Sequence, residues 1–281
     1  MKVLITGAAG MLGRTLSRKL KGHEVFPVDV EDFDITVLKD VLAAFRDLRP
    51  DGVIHCAAMT AVDDCEGKRE EAFRLNAVGT ANLALASQEI SAHLLAISTD
   101  YVFSGDLSRP YNEWDEPAPR TVYGESKLAA EQAVRNHCSK HSILRIAWLY
   151  GQGGPSFYHS MVKLGALSGE ALRVVSDQWG NPTSADSLVP VIEGILEKGC
   201  VGTFHCTCEG EANWYEFARE IFRLHRFARD IVACTSEEFP RPAARPRNSR
   251  LDNMALRLNA LPPMPDWRSA LSSFIEEYRD D

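Results

Sequence analysis

The first thirteen residues constrain the fold more than any other stretch. An apolar run, Lys2–Thr6, leads into Gly7, and Gly10 and Gly13 follow at three-residue spacing. Leu12, Leu16 and Leu20 then recur at helical intervals until Gly22 stops the helix. A strand that runs through G-x-x-G-x-x-G into a helix makes the turn of a dinucleotide-binding unit. One glycine permits the tight turn, one lets a pyrophosphate approach the backbone, and one lets helix and strand pack closely. The helix N-terminus then presents its N–H groups to the phosphates.

The pattern continues beyond the turn. Residues 25–29, 53–56, 94–98 and 142–149 read as strands, although Pro27 cannot donate to a ladder. Between them, Val37, Leu38, Val41, Leu42, Phe45 and Leu48 form one helical face, 70–90 is mostly helix and 123–137 is helical. Strands alternating with helices imply βαβ units and a parallel sheet. After Tyr150 the texture changes: Gly151, Gly153, Gly154 and Pro155 mark a loop. Strands are expected at 173–175 and 203–206, and helices at 213–227 and 266–278. The expected architecture is α/β. A Rossmann-type doubly wound parallel sheet occupies 1–150, and a smaller C-terminal α/β substrate-binding domain occupies 151–281. Segments near 173–206 are free to return to the first sheet.

Composition narrows the function. Hydrophobic residues make up 45% and charged residues 25% of 281, which is globular. There are 31 basic and 39 acidic residues, a net charge of −8, which argues against non-specific nucleic-acid binding. No run of 18 apolar residues offers a membrane span, and the N-terminus has no secretory pattern, so a cytoplasmic protein is expected. Seven cysteines fit reduced thiols better than a disulfide framework.

Three residues carry the chemistry. Tyr123 and Lys127 lie four apart, on one face of a helix. An ammonium there lowers the phenol's pKa and makes it a usable acid. Ser98, Thr99 and Asp100 end an apolar strand, where parallel sheets open their ligand crevice. A hydroxyl, a tyrosine and a lysine beside a dinucleotide imply hydride transfer at a carbon–oxygen centre. Asp29, at the end of the second strand, reads as a partner for adenosine ribose hydroxyls or as a surface acid among Glu31, Asp32 and Asp34. It would repel a 2′-phosphate, and no Arg or Lys stands between Val30 and Thr36, which favours NADH.

With these pieces the sequence resembles the dTDP-4-dehydrorhamnose reductase family of the extended short-chain dehydrogenase/reductases. The resemblance covers nearly the whole chain. Its first-half motifs are residues 57–63, AAMTAVD, 98–103, STDYVF, and 123–128, YGESKL. Its second-half motifs are 177–183, DQWGNPT, 245–251, RPRNSRL, and the segment around Pro265-Asp266-Trp267. It implies reduction of dTDP-4-dehydro-L-rhamnose to dTDP-L-rhamnose, with another NDP-4-ketosugar reductase, or a non-catalytic regulatory subunit like the methionine adenosyltransferase β-subunit, as alternatives. It implies that Tyr123 is the proton donor, that Lys127 orients the nicotinamide ribose, and that Thr99 polarises the keto oxygen. Gly7, Gly10, Met11 and Leu12 would line the pyrophosphate, Asp29 the ribose, Asp34 and Ile35 the adenine, and Ala57, Ala58 and Met59 the rest of the cofactor. Thr99, Asp100 and Trp148 would face the sugar. The resemblance brings in NADPH beside NADH, so both are expected to work. It also leaves room for a homodimer and for magnesium, whose glutamate ligands have no match here. Met11 stands where family members often carry Gln.

Some residues stay open. Trp148 reads as a sugar platform or as core, and Asn76 as support for a water relay or as a sheet cap. Segment 241–250, with four arginines, reads as a diphosphate grip or as a solvated loop. His205, Cys206 and Cys208 lack a second ligand pair, so no zinc site is expected.

Overall fold

The structure, a computed structural model, describes residues 1–278. Residues 279–281, the end of the second expected domain, lie outside the described residues. In chain order the first half comprises β1 (Lys2–Thr6), α1 (Met11–Lys19), β2 (Glu24–Val28), α2 (Leu38–Leu48), β3 (Gly52–His55), α3 (Val62–Gly67), α4 (Arg69–Phe73), α5 (Thr80–Ile90), β4 (His93–Thr99), α6 (Val122–His137) and β5 (His141–Ile146). The second half comprises β6 (Leu149–Tyr150), α7 (Phe157–Gly165), β7 (Leu172–Val175), β8 (Trp179–Gly180), β9 (Thr183–Ser184), α8 (Ala185–Lys198), β10 (Gly202–His205), β11 (Ala212–Asn213), α9 (Trp214–His225), β12 (Ile231–Cys234), α10 (Met254–Leu258) and α11 (Trp267–Glu277).

Six strands pair in the order β10-β5-β4-β3-β1-β2, all parallel. Their side chains alternate between two apolar layers, as strand geometry requires. Val3, Ile5, Ile54, Leu95 and Leu144 pack with Leu12 and Leu16 of α1 and Leu188 and Ile192 of α8. Leu4, Val53, Leu94 and Ile143 pack on the other face with Val41, Phe45 and Leu83. The chain leaves β1 for β2 on one side and returns to β3 on the other. The crevice at that switch point, beyond the strand C-termini, is where such sheets bind ligands.

Several local expectations change. Pro27 is accommodated because β2 is an edge strand. The 70–90 helix is not regular: a π-helical turn at Arg74–Gly79 separates α4 from α5. The expected strand 142–149 stops at Ile146, since Trp148 adopts φ 47°, a left-handed conformation that ends pairing. Leu149–Tyr150 pairs instead with β9. Within 173–206, β10 joins the large sheet beside β5, whereas β7 pairs with β12 in a separate ribbon.

Candidate active site

The glycine turn sits at the switch point. Gly7 has φ +68°, and a Cβ there would fall 2.6 Å from the Ala57 nitrogen. A Cβ on Gly13 would lie 2.2 Å from the Gly7 carbonyl oxygen, so helix α1 can approach the turn only without one. Gly10 caps α1 without a side-chain partner, and Met11 and Leu12 open its first turn. Met11 lies against the loop of Gly151 and Gly154, an apolar contact where a Gln would offer polarity. Asp29 Oδ2 accepts the Ala9 amide at 2.8 Å, so this carboxylate braces the turn. Asp34 accepts from the Thr36 amide at 2.8 Å, and that bond holds its carboxyl below the usual range. The Ile35 side chain is buried, and its carbonyl accepts from Asn82 at 2.9 Å.

Ala57, Ala58 and Met59 follow β3 and are half-buried. Asn76, in the π-helical turn, holds them. Its Oδ1 accepts from Met59 N at 2.8 Å, and its Nδ2 donates to Met59 O at 3.1 Å and to Ser126 Oγ at 2.9 Å. Its amide ties the loop after β3 to α6.

Helix α6 starts at Thr121, whose hydroxyl accepts from the Gly124 amide at 3.0 Å. It brings Tyr123 and Lys127 to the end of β4, beside Thr99, and all three are at least nine-tenths buried. The Thr99 hydroxyl lies beside the Tyr123 phenol. Lys127 Nζ donates to the Ile97 carbonyl at 2.7 Å. Burial pushes Lys127 down to about 8 against the opposing pull of Glu131. The phenol's pKa moves opposite to the sequence-based expectation. Burial, with Asp100 and Tyr101 adding to it, raises Tyr123 above its ordinary value, because the ammonium is turned to Ile97. A phenol held up in this way keeps its proton at neutral pH, though it gives it up less readily than an ordinary phenol.

Trp148 is half-buried and stacks on Trp214, with ring centroids 3.4 Å apart and planes 5° from parallel. Its Nε1 donates to Ser249 Oγ at 3.1 Å, and Ser249 also neighbours the Asp100 carboxyl. One face of the indole is therefore covered by protein. Nearby, Tyr101, Phe103, Arg120, Arg245 and Arg247 line a cavity of about 350 Å³. Arg245 is paired with Asp63 at 2.9 Å and Arg120 with Asp106 at 2.5 Å. Elsewhere in segment 241–250, Arg250 turns to Glu211 at 2.6 Å and Arg241 sits 3.8 Å from Asp63.

His205 is held by the Tyr111 carbonyl at 3.0 Å, and Cys206 and Cys208 are free thiols in the core. Among the described residues one set of three side chains lies close enough to share an ion: His23, Glu193 and Glu197. A nitrogen and two carboxylates do not match the oxygen sphere that magnesium takes, so the magnesium of the resemblance does not fit here. Sequence reasoning missed the pair Glu131–Arg145 behind Lys127, and Ser249 behind Asp100. Glu131 was detectable as the next residue at four-residue spacing after Lys127; the position of Ser249 required the fold.

Relatives place this geometry. A dTDP-4-dehydrorhamnose reductase of Clostridium acetobutylicum superposes with a TM-score of 0.97 at 44% identity, covering 99% of this chain and 100% of that one. The dTDP-4-dehydrorhamnose reductase of Bacillus anthracis, determined in complex with NADP, gives 0.96 at 40%, covering 98% and 99%. A dTDP-4-keto-6-deoxy-D-glucose reductase of Streptomyces niveus is 38% identical over 96% of this chain and 94% of its own length. The family described as the RmlD substrate binding domain matches residues 1–280. With that match running nearly from end to end, and with the glycine turn and the Thr99, Tyr123 and Lys127 cluster inside it, the chain belongs to the RmlD substrate binding domain family.

Proposed function

We propose that the protein reduces the 4-keto group of a dTDP-linked 6-deoxyhexose with NAD(P)H, turning dTDP-4-dehydro-L-rhamnose into dTDP-L-rhamnose. The observation that carries this reading is the convergence of Thr99, Tyr123 and Lys127, all buried, at the mouth of the switch-point crevice. When bound, a reduced nicotinamide supplies the hydride for C4 of the sugar. Tyr123 delivers its phenolic proton to the developing C4 alkoxide, Thr99 hydrogen-bonds that oxygen, and Lys127 holds the nicotinamide ribose. The amides of Gly10, Met11 and Leu12 take the pyrophosphate, with Gly7 making the turn. Asp29 takes the adenosine ribose, Asp34 and the Ile35 main chain border the adenine, and Ala57 to Met59 flank the cofactor. Asp100 and Trp148 face the sugar. Arg245 and Arg247 line the cavity suited to its diphosphate, which favours the grip reading for that part of segment 241–250.

The test is cofactor oxidation with purified protein and a panel of nucleotide 4-ketosugars, including the dTDP-linked gluco isomer. Oxidation fastest with dTDP-4-dehydro-L-rhamnose supports the assignment. No oxidation with any of them would remove the enzyme reading in favour of a non-catalytic subunit.

Cofactor choice gives a sharper prediction. Asp29 is expected to keep NADH at least as good as NADPH, because a carboxylate repels a 2′-phosphate. Asp29→Ala should move the kcat/KM ratio towards NADPH by about tenfold, roughly 1.4 kcal/mol. It should also weaken both cofactors, since the Ala9 amide loses its partner. Steady-state kinetics with both cofactors decide it. A strong wild-type preference for NADPH that survives the substitution would remove Asp29 from the ribose.

A further inference from the structure

The Thr99 hydroxyl has one proton and three neighbours. Its Oγ1 donates to Asp100 Oδ1 at 2.9 Å, accepts the Tyr101 amide at 3.2 Å, and lies beside the Tyr123 phenol. While Asp100 is a carboxylate, the Thr99 proton is committed to it. Thr99 then has only lone pairs for Tyr123, so it holds the phenolic proton that the reaction needs. It also has no proton left for a keto oxygen.

The surroundings of Asp100 disfavour the carboxylate. The residue is 4% exposed, and its Oδ2 is buried with no hydrogen-bond partner. Ser249, beside the carboxyl, accepts from Trp148 Nε1 at 3.1 Å and donates to the Trp179 carbonyl at 3.2 Å. In that arrangement its one proton is directed to Trp179; turned to Asp100 it joins the Thr99 hydroxyl and the Asp100 and Tyr101 amides in opposing the effect of burial, which outweighs them. The titratable groups facing Asp100 are Tyr101 and Tyr123, which burial keeps protonated. The cations near Tyr101, Arg245 and Arg241, both face Asp63, at 2.9 Å and 3.8 Å. A charged oxygen buried without a donor is costly, whereas a neutral carboxyl whose proton points at Thr99 leaves only a carbonyl oxygen unpaired. Burial accordingly pushes Asp100 up to about 7.

We propose that Asp100 works as a protonated carboxyl that donates to Thr99, releasing the Thr99 proton for the keto oxygen and the Tyr123 proton for transfer. Ionisation of Asp100 reverses the Thr99 hydrogen bond and switches the pair off. Asp100 is a positioning residue in this account: no bond forms or breaks at it, and the transferred proton still comes from Tyr123. The inference rests on the proposed roles of Thr99 and Tyr123.

The experiment is the pH profile of kcat/KM for the keto-sugar at saturating cofactor, from about pH 5.5 to about pH 9.5. Activity of the wild type should fall as pH rises through about 7. Lys127, pushed down to about 8, adds a second fall above that. Asp100→Asn keeps a donor towards Thr99 and has no proton to lose. Whatever its absolute rate, its profile should lose the lower limb and begin to fall about one pH unit later. An Asp100→Asn limb unchanged near 7 overturns the proposal. So does a folded, cofactor-binding Asp100→Asn enzyme with no turnover at any pH. If the variant does not fold, carbon-detected NMR titration of the wild-type aspartates decides: one carboxyl titrating near 7 supports the proposal, and all of them titrating in the ordinary range overturns it. Retained turnover in Tyr123→Phe and Thr99→Val would instead remove the underlying site assignment. An inactive Tyr123→Phe beside an unchanged Asp100→Asn limb removes this inference alone.

Discussion

Tyr123→Phe is expected to lower kcat by about 10²–10⁴, the usual worth of a positioned general acid, or about 2.7–5.4 kcal/mol of barrier. The ring stays, and so does its edge-on packing against Tyr101, whose centroid is 5.7 Å away. Cofactor affinity should therefore change by less than about twofold, because Lys127 and the glycine turn are untouched. The folded state loses a hydroxyl beside Thr99, a cost of at most about 1 kcal/mol. The raised phenol pKa sharpens the expectation. Tyr123 is protonated across the neutral range, so the wild-type rate needs no proton uptake by Tyr123 before each hydride transfer. Single-turnover cofactor oxidation alongside a cofactor titration measures both quantities. Turnover near wild type would remove Tyr123 from the chemistry, and a parallel collapse of cofactor binding would make it a binding residue.

How legible the molecule was in its sequence depends on the range of the forces involved. The parallel sheet and the glycine turn were legible because periodicity and turn chemistry are local. Lys2–Thr6 followed by Gly7, Gly10 and Gly13 admits few structures, and the Clostridium acetobutylicum neighbour shares the resulting fold throughout. Pairing was less legible. Segments 173–175 and 203–206 look alike as apolar strands, yet only the second reaches the large sheet. Trp148 broke a strand that its neighbours favoured, because its ring stacks on Trp214, 66 positions away, and φ 47° aims it there. Electrostatics were least legible. Four-residue spacing places Lys127 near Tyr123 but does not reveal that the ammonium turns to Ile97 or that burial outweighs it. Asp100 reads as a sugar contact, whereas its buried oxygen without a partner is set by residues distant in sequence that pack around it.

Arg145→Met is expected to cost about 3–5 kcal/mol of folding stability, the range for breaking a buried ion pair from one side. Arg145 and Glu131 are 2% and 1% exposed, with Nε to Oε1 at 2.8 Å and Nη2 to Oε2 at 2.7 Å. Ser98 donates to the same carboxylate at 2.6 Å. Arg145 also lies 4.9 Å from the Phe103 ring centroid and donates to His205 at 3.4 Å, where burial holds the imidazole neutral at about 3. Methionine fills much of the volume but removes the buried fork, leaving the carboxylate with Ser98 and the more exposed Arg135 as partners. The pH dependence should then invert. In the wild type, Arg145 holds the Glu131 pKa below its unfolded value despite burial. That contribution is present above the unfolded pKa and is lost as pH falls through the folded one. In Arg145→Met, burial is opposed only by Ser98 and the more exposed Arg135, 2.8 Å from Oε2, and raises the folded pKa, so stability from this site falls as pH rises. Urea melts at about pH 5 and about pH 7.5 should show the larger deficit at the higher pH. Glu131→Gln/Arg145→Met should recover part of the loss, since no buried charge remains. A single-variant loss below about 1 kcal/mol at both pH values would reduce the pair to the worth of a surface contact. The effect also reaches the site, because the Glu131 carboxylate raises the Lys127 pKa. A protonated Glu131 withdraws that support, so the high-pH fall in activity of Arg145→Met should begin below the wild-type position.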